Sequence, residues 1–437
     1  MSSSSELQVD LRQMIFAIET AISLVGMNDT NHGKRVGYIA SQLAHQLNYD
    51  DQTIQFIFEL GLLHDCGVST EQIHNDLVNH FDWNDAYIHC ELGYRLLKDF
   101  KPLEMFATAI RYHHTPWEKL RKIEISSQNA NMANLIFLSD RIDIMAACHY
   151  ESDILLAREE IVNSIKSYSG TYFDPVLVDA FLEREKSEAF WISLKARHIM
   201  LFTWEMRKFG NITLLTLSQL KQLSLIMAYI VDQKSPFTAQ HSVRVADVAR
   251  YIAETFGLSN EQCDKIEIAG LLHDLGKLNM PDNILEKPGP LSRLERSIMS
   301  QHSYETYEIL RSIEGLGEIA RWAAFHHEGL NGVGYPFHPA KQDLCIESRI
   351  VAVADVFQAL VQDRPYREGM ALNDVLRILD EFVCSEKLDP RLVDLVNQHV
   401  EKCFDIAKGI DPAAKGIEIP FFSAEELIAA KKQKNKS

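Results

Sequence analysis

The sequence predicts an all-α protein made of two copies of one helical domain joined by a helical linker. Three observations predict it. Apolar residues recur at helical spacing, as in Leu11, Ile15, Ile18, Ile22 and Val25, in Val36, Ile39, Ala40, Leu43 and Leu47, and in Val245, Val248, Ala249 and Ile252. Convincing strand alternation is missing. A set of short motifs also occurs twice, in one order and in near-constant register.

The motif pairs set the boundaries. His32-Gly33-Lys34-Arg35-Val36 returns as His241-Ser242-Val243-Arg244-Val245, and Leu62-Leu63-His64-Asp65-Cys66-Gly67 as Leu271-Leu272-His273-Asp274-Leu275-Gly276. His89 to Tyr94 returns loosely as His302 to Tyr307, Tyr112-His113-His114 as Phe325-His326-His327, and Asp140 as Asp355. The offset is 209 residues for His32/His241 and His64/His273, 213 for His89/His302 and His113/His326, and 215 for Asp140/Asp355. Two short insertions account for the drift. The expected organisation is a first domain over 1–195, a linker over 196–214, a second domain over 215–410 and a tail over 411–437. Gly and Pro clusters between Pro281 and Pro290 and between Gly329 and Pro339 read as loops. The lysine-rich end of the tail, Lys431 to Lys436, reads as a frayed, solvated helix end.

Composition narrows the function. The chain has 437 residues with 44 Lys+Arg against 61 Asp+Glu, a formal net charge of −17. Such a balance excludes general binding of long nucleic acid, which needs a basic surface, and disfavours docking on anionic membranes. No stretch reaches about 18 uninterrupted apolar residues, so no membrane span is expected. The most apolar region, Ile212 to Val231, is broken by Ser218, Gln219, Lys221, Gln222 and Ser224. The N-terminus, Met1 to Val9, lacks a secretory pattern. The seven cysteines form no CxxC pair, which suits a reducing cytoplasm.

The 17 histidines are concentrated in the repeated motifs. Each copy has one His, then His-Asp, then one His, then His-His, then one Asp. In the second copy these are His241, His273, Asp274, His302, His326, His327 and Asp355. In the first they are His32, His64, Asp65, His89, His113, His114 and Asp140. Imidazole mixed with carboxylate suits iron, manganese, zinc or nickel better than magnesium or calcium. Seven ligands are too many for one ion and suit two, if a carboxylate bridges. Asp355 and Asp140 lie in runs of apolar residues, where an unpaired carboxylate costs several kcal/mol and a metal removes that cost. His45, His74, His80, His149, His198, His338 and His399 fall outside the repeat and read as structural or surface residues.

These residues resemble the HD superfamily of metal-dependent phosphohydrolases, and the second copy resembles its HD-GYP branch. The match runs from about Gln233 to Gly369. It includes His273-Asp274-Leu275-Gly276-Lys277, His326-His327-Glu328, Gly332-Val333-Gly334-Tyr335-Pro336, the link from Met280 to Gly289, and Asp363-Arg364-Pro365-Tyr366-Arg367. The resemblance implies a phosphodiesterase for cyclic dinucleotides. It implies that His241, His273, Asp274 and Asp355 hold one ion and Asp274, His302, His326 and His327 the other. The position that carries a third-metal glutamate in some members is Phe237 here, so two ions are expected, iron or manganese before zinc. Lys277 would orient the scissile phosphate or neutralise developing charge. Arg364 and Arg367 would bind substrate phosphate, or cap a helix end. Tyr335 would hydrogen-bond a phosphate or pack on a base.

The first copy is similar to a plain HD domain that has lost HD-GYP features. Val68 stands where Lys277 stands in the second copy, and Thr115-Pro116-Trp117 follows the His-His pair. All seven candidate ligands survive, so metal is expected there too. A tandem HD plus HD-GYP chain resembles a bacterial subgroup that includes 3′,3′-cyclic GMP-AMP phosphodiesterases. The implied function is ring opening of that dinucleotide, with cyclic di-GMP hydrolysis and a non-hydrolysing receptor as alternatives. The first domain would be regulatory or a 5′-nucleotidase acting on the linear product. Oligomeric state is not legible.

Overall fold

A computed structural model describes residues 7–25, 31–68, 70, 86–150, 152–208, 210, 212–234, 240–362 and 368–410. The fold is all-α. Among the described residues, strand pairing beyond an isolated bridge is limited to Val9–Asp10 against Leu214–Leu215, antiparallel, with Val9 opposite Leu215. No described helix is long and apolar enough to cross a membrane. Each set of motifs lies in its own compact unit. The described residues of Ile18–Val68 and of 86–213 form one, and those up to Ala17 and from Leu214 onward form the other.

In the first unit the ligand-bearing helices are His32–Gln46, Asp51–Leu63, Tyr87–Leu97, Glu104–Tyr112 and Ser127–Ala146. Trp117–Leu120, Ile154–Ser167, Pro175–Arg184, Glu188–Ile192 and Ala196–Met206 also belong to it. In the second unit the corresponding helices are His241–Phe256, Asn260–Leu272, Gln301–Arg311, Gly317–Ala324 and Ile346–Val361. The apolar region after Ile212 becomes the helix Leu217–Asp232, started by a capping box between Thr216 and Gln219.

The two units use the same local devices. The Asp50 side chain accepts from Thr53 N at 2.7 Å and starts Asp51–Leu63. Its counterpart Ser259 forms a capping box with Gln262 at the start of Asn260–Leu272. Loss of such a cap costs about 1 kcal/mol. Each capped helix then crosses its predecessor at near backbone contact. A Cβ on Gly61 would lie 2.5 Å from Gly37 Cα, and one on Gly270 would lie 2.8 Å from Ala246 Cα. That crossing brings the first histidine of each set beside the His-Asp pair.

Helix Ser127–Ala146 is buried on nearly every face from Met132 to Asp143, which removes amphipathic contrast. It places the Asp140 carboxylate in the core at 2% exposure, and Ile346–Val361 places Asp355 at 8%. Buried carboxylates at these positions need compensation from neighbours.

Candidate metal centres

In the second unit all seven candidate ligands converge. His241 opens its helix, His273 and Asp274 follow the end of theirs, His302 lies in the first turn of Gln301–Arg311, and His326 and His327 follow Gly317–Ala324. Asp274 is central. Its Oδ2 lies 3.2 Å from His273 Nε2 and 3.7 Å from His241 Nε2. Its Oδ1 lies 3.6 Å from His302 Nε2 and 3.9 Å from His326 Nε2. Asp355 Oδ1 lies 3.4 Å from His241 Nε2 and 3.8 Å from His273 Nε2. His327 Nδ1 lies 4.0 Å from Asp355 Oδ2. One carboxylate thus divides its oxygens between two sets of imidazoles.

The first unit repeats this arrangement. Asp65 Oδ2 lies 3.3 Å from His64 Nε2 and 3.7 Å from His32 Nε2, while Oδ1 lies 3.4 Å from His89 Nε2 and 3.8 Å from His113 Nε2. Asp140 Oδ1 lies 3.2 Å from His32 Nε2, and its Oδ2 lies 3.9 Å from His114 Nε2.

The rings are oriented from behind. Five of them donate Nδ1–H to the main-chain carbonyl three residues earlier: His64 to Gly61 at 2.7 Å, His113 to Ile110 at 2.6 Å, His273 to Gly270 at 2.7 Å, His302 to Met299 at 2.6 Å and His326 to Ala323 at 2.6 Å. A carbonyl only accepts, so the neutral ring turns its Nε2 lone pair toward the cluster. The first histidine of each set uses a side chain instead. His32 Nδ1 meets Asp143 Oδ2 at 2.7 Å, and Asp143 Oδ1 in turn accepts from Arg35 Nε at 2.6 Å. His241 Nδ1 meets Gln362 Oε1 at 3.2 Å. Replacing Gln362 by Leu should lower metal affinity of the second unit about 10–100-fold, measured by competition with a chelator; an unchanged affinity would show that the ring needs no such support.

The residues fit divalent metal. His64 Nε2, His273 Nε2, Asp65 Oδ1 and Asp274 Oδ1 are buried without hydrogen-bond partners, which is costly unless a cation sits among them. Burial lowers His302 to about 4 and His327 to about 3, so both rings are neutral donors at pH 7. Burial opposes ionisation of Asp274, yet the nearby His273 and Lys277 hold it well below the usual carboxylate range.

The other candidate residues surround the second centre. Lys277 Nζ pairs with Asp274 Oδ2 and is partly exposed. The Tyr335 ring lies 4.8 Å from that of His327 and 6.2 Å from that of His302. Glu328 anchors its loop: Oε1 accepts from Phe337 N at 2.7 Å and His338 N at 3.2 Å. Arg364, Arg367 and Phe237 lie outside the described residues. Sequence reasoning missed Asp143, Gln362 and the structural role of Glu328. For Asp143 a signal existed, since it lies three residues after Asp140 on one helix face.

Comparison with known proteins agrees with this geometry. Family models described as HD domain match residues 30–145 and 226–392. A 3′3′-cGAMP-specific phosphodiesterase of Vibrio cholerae serotype O1, number 1 of its kind, is 36% identical over 418 residues, covering 93% of this chain and 96% of the relative. The chain belongs to the HD-domain phosphodiesterase family. Within this HD-domain family, a cyclic di-GMP phosphodiesterase of Thermotoga maritima is 36% identical over 171 residues, 39% of this chain and 46% of that protein. The HD-domain fold also matches a crystal structure of a Vibrio cholerae cyclic GMP-AMP phosphodiesterase, V-cGAP3. Its TM-score is 0.61 at 23% identity, covering 93% of this chain and 99% of that one.

Proposed function

We propose that the second unit is a metal-dependent phosphodiesterase that opens a bacterial cyclic dinucleotide, 3′,3′-cyclic GMP-AMP before cyclic di-GMP, in the cytoplasm. The observation that carries the reading is Asp274, whose two oxygens face separate imidazole sets, in a chain aligned over almost its full length with a 3′3′-cGAMP-specific relative. Two ions are proposed, with iron or manganese favoured by the mixed imidazole and carboxylate donors. Bound there, such ions would supply an activated water and offset charge on the phosphate.

The chain's own residues do the rest. Asp355, His241 and His273 form one donor set, and His302 and His326 face the other Asp274 oxygen with the His327 ring against both of theirs. Lys277 brings an ammonium to the edge of the cluster, where it neutralises charge on the scissile phosphate. Tyr335 walls the cluster beside His327 and contacts the phosphate or a base. Arg364 and Arg367 are proposed as further phosphate contacts. These cations let an acidic protein accept a small anionic ring without attracting polymers.

Hydrolysis of each dinucleotide by the purified, metal-loaded protein tests the reading. Faster turnover of 3′,3′-cyclic GMP-AMP is expected. Equal or faster turnover of cyclic di-GMP would reverse the substrate order. Binding of either without turnover would leave a non-hydrolysing receptor.

The first unit is proposed as a metal-stabilised regulatory domain, because Val68 replaces the lysine and no Gly-Tyr-Pro loop follows His114. A 5′-nucleotidase acting on the linear product is the second reading, supported by its full ligand set. Asp65→Ala separates them. Loss of phosphate release from the linear product in that variant would establish the nucleotidase, and phosphate release at the original rate would exclude it.

A further inference from the structure

The residue that follows the third histidine differs between the two centres. In the second unit Ser303 follows His302, and its Oγ lies 3.3 Å from His302 Nε2. In the first unit Cys90 follows His89, and its Sγ lies 3.6 Å from His89 Nε2 and 3.9 Å from His113 Nε2. Those two nitrogens are 3.2 Å apart. Asp65 Oδ1 lies 3.4 Å from the first and 3.8 Å from the second. Donors around one tetrahedral ion, with nitrogen at about 2.0–2.1 Å and sulfur at about 2.3 Å, stand about 3.4 Å apart for N···N and about 3.6 Å for N···S. Cys90 Sγ and the two nitrogens therefore have the spacing of donors in a single coordination sphere, and Asp65 Oδ1 stands at similar distances from both nitrogens. Cys90 is 1% exposed, His89 and His113 are 0% exposed, and Asp65 Oδ1 is buried without a hydrogen-bond partner.

The hydrogen bonds behind the cluster point the same way. The Cys90 thiol donates to the Ala86 carbonyl at 3.3 Å. Ala86 lies three residues before His89, the position whose carbonyl orients five other histidines of the two centres. His302, the counterpart of His89, makes that bond to Met299, whereas His89 Nδ1 is buried with no partner. Loss of the thiol proton would release the Ala86 carbonyl to accept His89 Nδ1–H. His89 would then present its Nε2 lone pair as the other rings do.

We propose that Cys90 is a thiolate ligand of the first unit's metal centre, sharing an ion with His89, His113 and Asp65. The thiol proton leaves to solvent as the ion binds. This rests on the reading that the first unit holds metal. The consequence is two chemically distinct centres in one chain: a sulfur-containing one that favours zinc, cobalt or iron(II), and an imidazole–carboxylate one in the second unit that also accepts harder ions.

Cobalt(II) substitution of the full-length protein tests this apart from activity. The loaded protein should show thiolate-to-cobalt charge-transfer absorption in the near ultraviolet. Cys90→Ser should abolish it and Cys66→Ser should keep it. Cobalt bound without that absorption, or absorption unchanged in Cys90→Ser, would overturn the assignment of Cys90. His113→Ala should lower the cobalt content; an unchanged content would overturn the metal reading of the first unit itself. If Cys90→Ser does not fold, X-ray absorption of the zinc-loaded wild type decides, since a sulfur neighbour at about 2.3 Å is required and its absence refutes the proposal.

Discussion

Asp274→Ala is expected to abolish ring opening. Among the described residues, no other carboxylate of the second unit directs one oxygen to His241 and His273 and the other to His302 and His326. Without it the two imidazole sets lose their bridge, and Lys277 loses the anion it pairs with. Several kcal/mol of transition-state stabilisation depends on a clamped pair of ions, so kcat/KM should fall by at least about 10³-fold. Metal content should fall with it, while circular dichroism stays that of a helical protein. Asp65→Ala, the same change in the first unit, should leave ring opening within a few-fold of wild type. If Asp274→Ala keeps activity within tenfold of wild type, the bridging role is wrong.

Gly276→Ala should be nearly as damaging, through packing. A Cβ at that position would lie 2.0 Å from the His302 carbonyl oxygen and 2.8 Å from Glu305 Cβ. The clash is with main chain, so helix Gln301–Arg311 has to move. The same glycine is tied down by its own hydrogen bonds: Gly276 N donates to Thr306 Oγ1 at 2.9 Å, and that hydroxyl donates to His273 O at 3.1 Å. The His-Asp turn and the His302 helix therefore cannot separate without breaking buried bonds. Overpacking of this kind costs about 1–3 kcal/mol, and a rigid backbone obstacle favours the upper end. For a unit of about 200 residues, about 3 kcal/mol lowers the melting temperature by roughly 6–12 °C. Calorimetry should show that shift, together with weakened metal binding. Gly67→Ala should act likewise in the first unit, where a Cβ would lie 2.1 Å from the His89 carbonyl. A Gly276→Ala protein that melts with wild type would mean that the turn is far softer than its packing indicates.

The duplicated helical fold and its fourteen candidate ligands were legible because the chemistry constrains side chains. All fourteen are imidazoles or carboxylates, their order along the chain follows the helix order, and the 209-residue offset keeps both His-Asp turns in register. The glycine after each His-Asp pair was visible as a motif, but its reason, the carbonyl passing within contact distance, is a tertiary fact. The orienting groups were less legible. Gly61, Ile110, Gly270, Met299 and Ala323 act through a carbonyl, which every residue has. Asp143 at least shares a helix face with Asp140, whereas nothing in the local pattern of Gln362 marks it as the partner of a histidine more than a hundred residues away. Cys90 was legible only as a free cysteine, because its relation to His113 depends on how two helices pack.

The carbonyl bonds behind the imidazoles have a consequence for how these centres tolerate sequence change. An oxygen that belongs to the main chain survives almost any substitution at its residue, as the variety of Gly, Ile, Met and Ala at these positions illustrates. Five of the ten ligand histidines are thus oriented by groups that point mutation rarely removes. Mutational sensitivity should concentrate instead on the ligands, on the close-packed glycines Gly61, Gly67, Gly270 and Gly276, and on the two side-chain supports Asp143 and Gln362. A saturation scan should therefore show tolerance behind a ring only where packing leaves room, as at half-buried Met299, and none at Gly61 or Gly270.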